Sequence, residues 1–163
     1  MIEFEDFDNF NYKDWDDTFE VNVNTTLIIA TSLGRTMNKN GVIVNIASTD
    51  GTTGTFSSMA YSSSKAALIN LTKSLGNHLE LRAIRVVGVS PGWIDTWMSS
   101  EESYEATSLC PLGRNWTPEE ITKLVAFLLS KDASFMNGTT VVSDGGYTNV
   151  DYIMIKEAKL EKK

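Results

Sequence analysis

Val42-Ile43-Val44-Asn45-Ile46 and Ile84-Arg85-Val86-Val87-Gly88-Val89 are the stretches that decide the fold. Each is short, rich in β-branched residues and apolar at successive positions rather than alternate ones. A strand carries that pattern when both of its faces are buried. The first run closes on Ala47-Ser48 and the second on Ser90-Pro91-Gly92. A third run, 138–143, ends at Asp144-Gly145-Gly146. Strands are expected at about 42–47, 84–89 and 139–143.

The segments between them have a helical period. Trp15, Phe19, Val23, Leu27 and Ile28 predict a helix over 14–38, stopped by Asn38-Lys39-Asn40-Gly41. Ala67, Leu68, Leu71 and Leu75 predict the apolar face of a helix over 59–81. Thr117-Pro118-Glu119-Glu120 has the form of an N-cap, an N1 proline and first-turn acids, leading into Ile121, Leu124, Val125, Phe127 and Leu128. Residues 1–13 read as irregular, 48–58 as a polar loop, and about 25 residues after Gly92 as a loop of lid length. The expected organisation is one domain over 1–150 and a charged tail over 151–163. Strands alternating with amphipathic helices imply an α/β fold with a parallel sheet and right-handed crossovers. Such sheets bind ligands outside the carboxyl ends of their strands. The segments at Ala47-Ser48, Pro91-Gly92 and Asp144-Gly145-Gly146 begin there.

Composition narrows the function. The 163 residues are 42% hydrophobic and 21% charged, enough for one core. One cysteine, Cys110, and one histidine, His78, argue against a disulfide, a cysteine zinc site and a Ser-His-Asp triad. His78 lies mid-helix and reads as a solvated or packing residue, and Cys110 as an inert thiol. Eight acids and one base in residues 1–20 account for the whole formal charge of -7. The remainder carries no basic stripe for nucleic acid. No apolar run approaches the roughly 20 residues of a membrane helix, and a cytoplasmic location is the default expectation.

The chemistry concentrates around Tyr61 and Lys65. Four residues apart at a helix start, they share one face. A phenol is a poor acid or base at its free pKa of about 10, and a nearby ammonium lowers that value. Ser48, thirteen residues before Tyr61, could hold a substrate oxygen beside the phenol. Alone, a Tyr-x-x-x-Lys pair more often means surface pairing. The ordered set is more specific: Phe19-Glu20-Val21-Asn22-Val23, Asn45-Ile46-Ala47-Ser48, Tyr61-Ser62-Ser63-Ser64-Lys65, Ser90-Pro91-Gly92-Trp93-Ile94-Asp95-Thr96, Pro111-Leu112-Gly113-Arg114 and Ser143-Asp144-Gly145-Gly146.

In these motifs, from about residue 2 to 149, the chain resembles the classical short-chain dehydrogenase/reductases, and specifically their carboxyl-terminal, catalytic half. The resemblance implies a partial doubly wound, Rossmann-like parallel sheet with three strands. It implies an oxidoreductase that interconverts a carbonyl and an alcohol on a small molecule, using NAD or NADP. Tyr61 would be the acid in reduction and the base in oxidation. Lys65 would lower the Tyr61 pKa and bind the nicotinamide ribose, Ser48 would position the substrate oxygen, and Asn22 would kink its helix and hold a relay water. Pro91, Gly92, Ile94 and Thr96 would contact the nicotinamide side, with Thr96 on the carboxamide. Trp93, Trp97 and Met98 could line an apolar pocket or simply pack a lid. Asp144-Gly145-Gly146 reads as a structural turn near a subunit interface.

The family's glycine-rich phosphate turn does not occur among these residues. Neither Gly-x-x-x-Gly-x-Gly nor Gly-x-Gly-x-x-Gly is found, and Gly51 and Gly54 are a poor substitute. Weak or no cofactor binding is therefore expected of this chain alone. Two functional readings follow: a truncated or split oxidoreductase, or a catalytically silent homologue acting as an assembly or interaction module. The expected partners are a second copy, paired through the helices at 14–38 and 61–81, or a complementary chain. Leu27, Ile28 and Leu33 on the first helix and Leu68, Ile69 and Leu71 on the second would supply the apolar contact.

Overall fold

The computed structural model describes residues 6–56, 58–96, 107–108 and 110–160, with backbone only at 159 and 160. Its centre is a three-stranded parallel sheet of β1 (Val42–Ile46), β2 (Arg85–Pro91) and β3 (Thr140–Ser143), in that spatial order. β1 is in register with β2 from Val42 opposite Arg85 to Ile46 opposite Val89, and β2 with β3 from Gly88 opposite Thr140 to Pro91 opposite Ser143. β2 and β3 therefore end level with each other, and β1 ends two residues earlier, opposite Val89.

Alternation along the strands sorts side chains to the two faces. Val86 packs with Leu75, Leu79, Ile84 and Ala30, beneath α3 (Met59–Leu79). Val87 and Val89 pack with Leu128 and Ala133 on the other face, beneath α4 (Pro118–Leu129). Two cores on opposite faces of one sheet make the arrangement doubly wound. Arg85 locks β2 to the end of α4. Its guanidinium donates to Met136 O at 3.0 Å, Leu128 O at 3.0 Å and Ser130 O at 3.2 Å, where the helix dipole favours a cation. At the other end of α4, Thr117 and Glu120 form the capping box. Glu120 N donates to Thr117 Oγ1 at 3.3 Å, and Thr117 N donates to Glu120 Oε2 at 3.1 Å.

The first helix departs from its expected bounds at both ends. It begins as α1 (Tyr12–Phe19), because the Asn11 side chain accepts from Lys13 N and caps it. It passes through a π-helical segment (Glu20–Asn24) and continues as α2 (Thr25–Leu33). It stops five residues before Asn38. Gly34 sits so close to α3 that a Cβ there would meet Leu79 Cδ2 at 2.7 Å. α3 runs close to its expected span and ends in a 3-10 turn (Glu80–Arg82) before Ala83, whose φ is 56°. Its buried face is partly polar: Ser64 and Thr72 join Leu68 and Leu75. Asn45 Nδ2 donates to Thr72 Oγ1 at 2.9 Å, which satisfies both groups. Leu68, expected to be free for a partner, is instead a core residue, whereas Ile28 and Leu33 are 58% and 51% exposed. The tail forms α5 (Tyr152–Leu160). Among the described residues no helix is long and apolar enough to cross a membrane.

Candidate active site

The carboxyl end of β1 opens into a 3-10 turn, Thr49–Gly51, on the way to α3. Ser48 follows the strand by two residues, and its Oγ accepts from Asp50 N at 3.2 Å, capping the 3-10 turn Thr49–Gly51. Gly51 lets that turn lie against α3. A Cβ at Gly51 would meet Lys65 C at 2.7 Å, Ala66 N at 2.9 Å and Ile69 Cδ1 at 2.9 Å. The close approach sets Ser48 beside Tyr61, near enough for its hydroxyl to act on the phenol. Lys65, one helical turn after Tyr61, donates from Nζ to Ile46 O at 2.9 Å, and Nζ lies 5.4 Å from the centroid of the Tyr61 ring. Sequence reading named Ser48, Tyr61 and Lys65, and the fold gathers the three at one strand end.

The electrostatics differ from the sequence expectation in one respect. Burial pushes the Tyr61 phenol up from its ordinary value, the Ser48 hydrogen bond opposes that rise, and the charge of Asp50 adds to it. The Lys65 ammonium lies 5.4 Å from the ring centre and donates to the Ile46 carbonyl. Burial lowers the Lys65 pKa and raises that of Asp50. Asp50 and Ser64 were not singled out from sequence. An acid two residues after Ser48 was the available signal for Asp50, but its burial depends on the Gly51 packing.

Asn22 falls within the π-helical segment, a type of irregularity common at functional sites. Its Nδ2 donates to Ser64 Oγ at 2.9 Å, and Ser64 Oγ donates to Tyr61 O at 2.7 Å. Asn22 thus reaches the Tyr61 backbone through one hydroxyl.

The remaining candidates lie along the end of β2. Ala47 N donates to Val89 O at 2.7 Å, which sets Ser48 level with Pro91 on the neighbouring strand. Gly92 N donates to Ser143 O at 3.1 Å. Ile94 bridges to Trp116, Asp95 N donates to Trp116 O at 2.8 Å, and Asn115 Nδ2 donates to Asp95 Oδ1 at 2.8 Å. Ile94 and Asp95 therefore follow a strip anchored on Trp116. A shallow cleft is lined by Trp93, Cys110, Arg114, Trp116 and Tyr147 among others. Neither Ser48, Tyr61 nor Lys65 lines it. Cys110 is buried there, with Sγ 3.5 Å from Gly145 O. Trp97 and Met98 lie outside the described residues.

A family model described as enoyl-(acyl carrier protein) reductase matches residues 2–148. The chain belongs to the short-chain dehydrogenase/reductase family. It is 39% identical over 139 residues to a 3-oxoacyl-[acyl-carrier-protein] reductase of Aquifex aeolicus, covering 82% of this chain and 56% of that protein. It is 33% identical over 140 residues to the human (3R)-3-hydroxyacyl-CoA dehydrogenase, covering 82% and 54%. A solved short-chain dehydrogenase/reductase from Serratia marcescens superimposes with a TM-score of 0.85 at 31% identity, over 91% of this chain and 62% of that one. A 4-hydroxyisoleucine dehydrogenase complexed with NADH superimposes with a TM-score of 0.86 at 28% identity, over 93% and 66%. The chain spans about half the length of these two curated relatives.

Proposed function

We propose that these residues form the proton-transfer end of an oxidoreductase that interconverts a carbonyl and an alcohol on a small molecule with NAD or NADP. In this reading the chain works as a truncated or split form. The observation that carries it is the gathering of Ser48, Tyr61 and Lys65 at the carboxyl end of β1, with Lys65 Nζ 5.4 Å from the centre of the Tyr61 ring. A bound nicotinamide dinucleotide supplies the hydride. The donor set suits its ribose end: among the described residues, Lys65 spends one of three N–H donors on Ile46 O, and the ammonium stays within one turn of the phenol. Ser48 holds the substrate oxygen against the phenol, and Tyr61 gives its proton to that oxygen in reduction or takes it back in oxidation. A phenol pushed up by burial is protonated at neutral pH, the form that reduction needs. Lys65, Pro91, Gly92, Ile94 and Thr96 are proposed for the nicotinamide side, and Asn22 for the far end of the proton relay. No glycine-rich turn in these residues beds a pyrophosphate, so cofactor affinity depends on another polypeptide segment.

Two measurements test this. Calorimetry on the chain alone should find NAD(P)H binding much weaker than micromolar, and a micromolar constant, near -8 kcal/mol, would overturn the proposed dependence. When a complementary dinucleotide-binding segment restores turnover, Tyr61→Phe should lose about 100-fold or more of it, the share a general acid commonly carries. Equal turnover in that variant removes Tyr61 from the mechanism. The exposed apolar residues of α2 favour a second reading as an assembly module. Absence of turnover with every such segment would support it.

A further inference from the structure

The chain contains two Asn-Gly pairs, Asn40-Gly41 and Asn137-Gly138. In such a pair the glycine nitrogen has no Cβ beside it and can attack the preceding side-chain amide. The fold treats the two pairs differently. The Asn137 side chain is held at both ends: Oδ1 accepts from Val86 N at 2.9 Å, and Nδ2 donates to Gly76 O at 3.1 Å. Gly138 N donates to Val86 O at 2.8 Å, on the central strand. The backbone there is also wedged against α3, since a Cβ at Gly76 would meet Gly138 Cα and N at 2.8 Å. Asn40, by contrast, is exposed, and its side-chain amide makes no hydrogen bond among the described residues. Gly41 N is engaged once, on Asn38 O at 3.1 Å in a surface turn. Freeing it takes local opening of that turn, whereas freeing Gly138 N takes separation from β2.

We propose that Asn40 is a site of spontaneous deamidation and that Asn137 is shielded from the same reaction. Gly41 N, deprotonated by water or hydroxide, attacks Asn40 Cγ. The new C–N bond closes a five-membered succinimide as the bond to Nδ2 breaks, and ammonia leaves, taking a proton back from water. Water then opens the ring. Cleavage at Cγ gives aspartate, and cleavage at the main-chain carbonyl gives isoaspartate, whose backbone runs through Cβ and Cγ. Water is the only co-reactant. The two products differ in what they do to the fold. Among the described residues only Asn40 and Ala83 have positive φ without being glycine, at 67° and 56°. Asparagine and aspartate both tolerate that conformation. Asn40 N donates to Ala83 O at 2.7 Å, and Arg85 N donates to Gly41 O at 3.0 Å. These bonds lie on either side of the Asn40-Gly41 peptide and tie the entry of β1 to that of β2. Aspartate keeps their spacing, whereas isoaspartate inserts one more main-chain carbon between them.

The test incubates the folded chain at mildly alkaline pH. Peptide mapping by mass spectrometry follows the replacement of amide by acid at each asparagine, and enzymatic carboxyl methylation reads isoaspartate. Asn40 should convert about tenfold or more faster than Asn137, whose two side-chain hydrogen bonds must open first. In urea the two rates should converge, because the Asn-Gly step itself is the same. Asn40→Gly, which suits a left-handed turn, should fold and lose the fast reaction. Isoaspartate chains, separated by ion exchange, should unfold at lower urea than the unmodified chain or Asn40→Asp. Equal rates in the folded chain, faster conversion at Asn137, or an Asn40 that converts only in urea would each overturn the proposal. An isoaspartate chain as stable as Asn40→Asp would overturn the difference drawn between the two products.

Discussion

Glu120 shows how much one side chain can do away from the site. Both of its oxygens accept from the Arg114 guanidinium at 2.7 Å, and one also accepts from Thr117 N. Arg114 first, and then the Thr117 amide, hold the Glu120 carboxyl at about 2, well below its ordinary 4.5. A depressed carboxylate stabilises the folded state above its unfolded pKa and loses that contribution as pH falls through the folded one. The stability advantage of the wild type over Glu120→Gln should therefore be full above pH 4.5 and shrink as pH drops toward about 2. Urea unfolding at stepped pH measures it, and a difference independent of pH across that window would contradict the assignment. The Tyr61 phenol has the opposite sign. Pushed up by burial, it favours the folded state at low and neutral pH and ceases to do so as pH rises through its folded value. Residue identities were the most legible part of the site, because Ser48, Tyr61 and Lys65 are recognisable by type and spacing. The direction of the Tyr61 shift was not legible. It depends first on how deeply the fold buries the phenol, and then on Ser48 and on a carboxylate brought in by a turn.

Among the elements, that turn is the most sensitive. Gly51→Ala places a methyl group against backbone atoms of α3 that cannot yield without moving the helix. It should destabilise by about 1–3 kcal/mol, as overpacking does, and separate Ser48 from Tyr61. Gly54→Ala, where a Cβ meets nothing within 4 Å, serves as the silent control. Equal unfolding midpoints for the two variants would show that the turn is not clamped. The strands were readable almost to the residue, since β-branched runs buried on both faces mark themselves. β2 runs two residues beyond its expected end because Pro91 still pairs with Ser143. Helix limits were less readable. The end at Leu33 answers to Leu79, far along the chain, and the π-helical segment adds one residue to a turn without disturbing the apolar pattern. Leu68 was misplaced for a related reason: periodicity marks an apolar face but does not say whether sheet or partner covers it.

At the scale of the molecule, the sheet is asymmetric. Among the described residues β2 has a neighbour on both sides and β1 on one, and Ile46 is 44% exposed at the end of β1. An apolar strand with one unpaired edge invites association. The exposed Ile28 and Leu33 of α2 offer a second contact surface. An interface of standard size buries roughly 1,600 Å², and either surface could contribute to a dimer.

The one-sided pairing of β1 writes an alternating record into the backbone amides. Ala47 N points to Val89 O, and in a parallel ladder every second amide does the same. Ile43 and Asn45 then face β2, whereas Val44 and Ile46 face outward. In deuterated solvent the monomer should exchange Val44 and Ile46 quickly and Ile43 and Asn45 slowly, and the amides of β2, which has neighbours on both sides, should outlast them all. A chain that docks on the helices leaves this odd-even rhythm in place. One that adds a strand slows Val44 and Ile46 and erases it. Uniform protection of β1 in a dilute monomer would mean that its outer edge is not free. The timescale of two amides thus reports which surface a partner has chosen, before that partner is known.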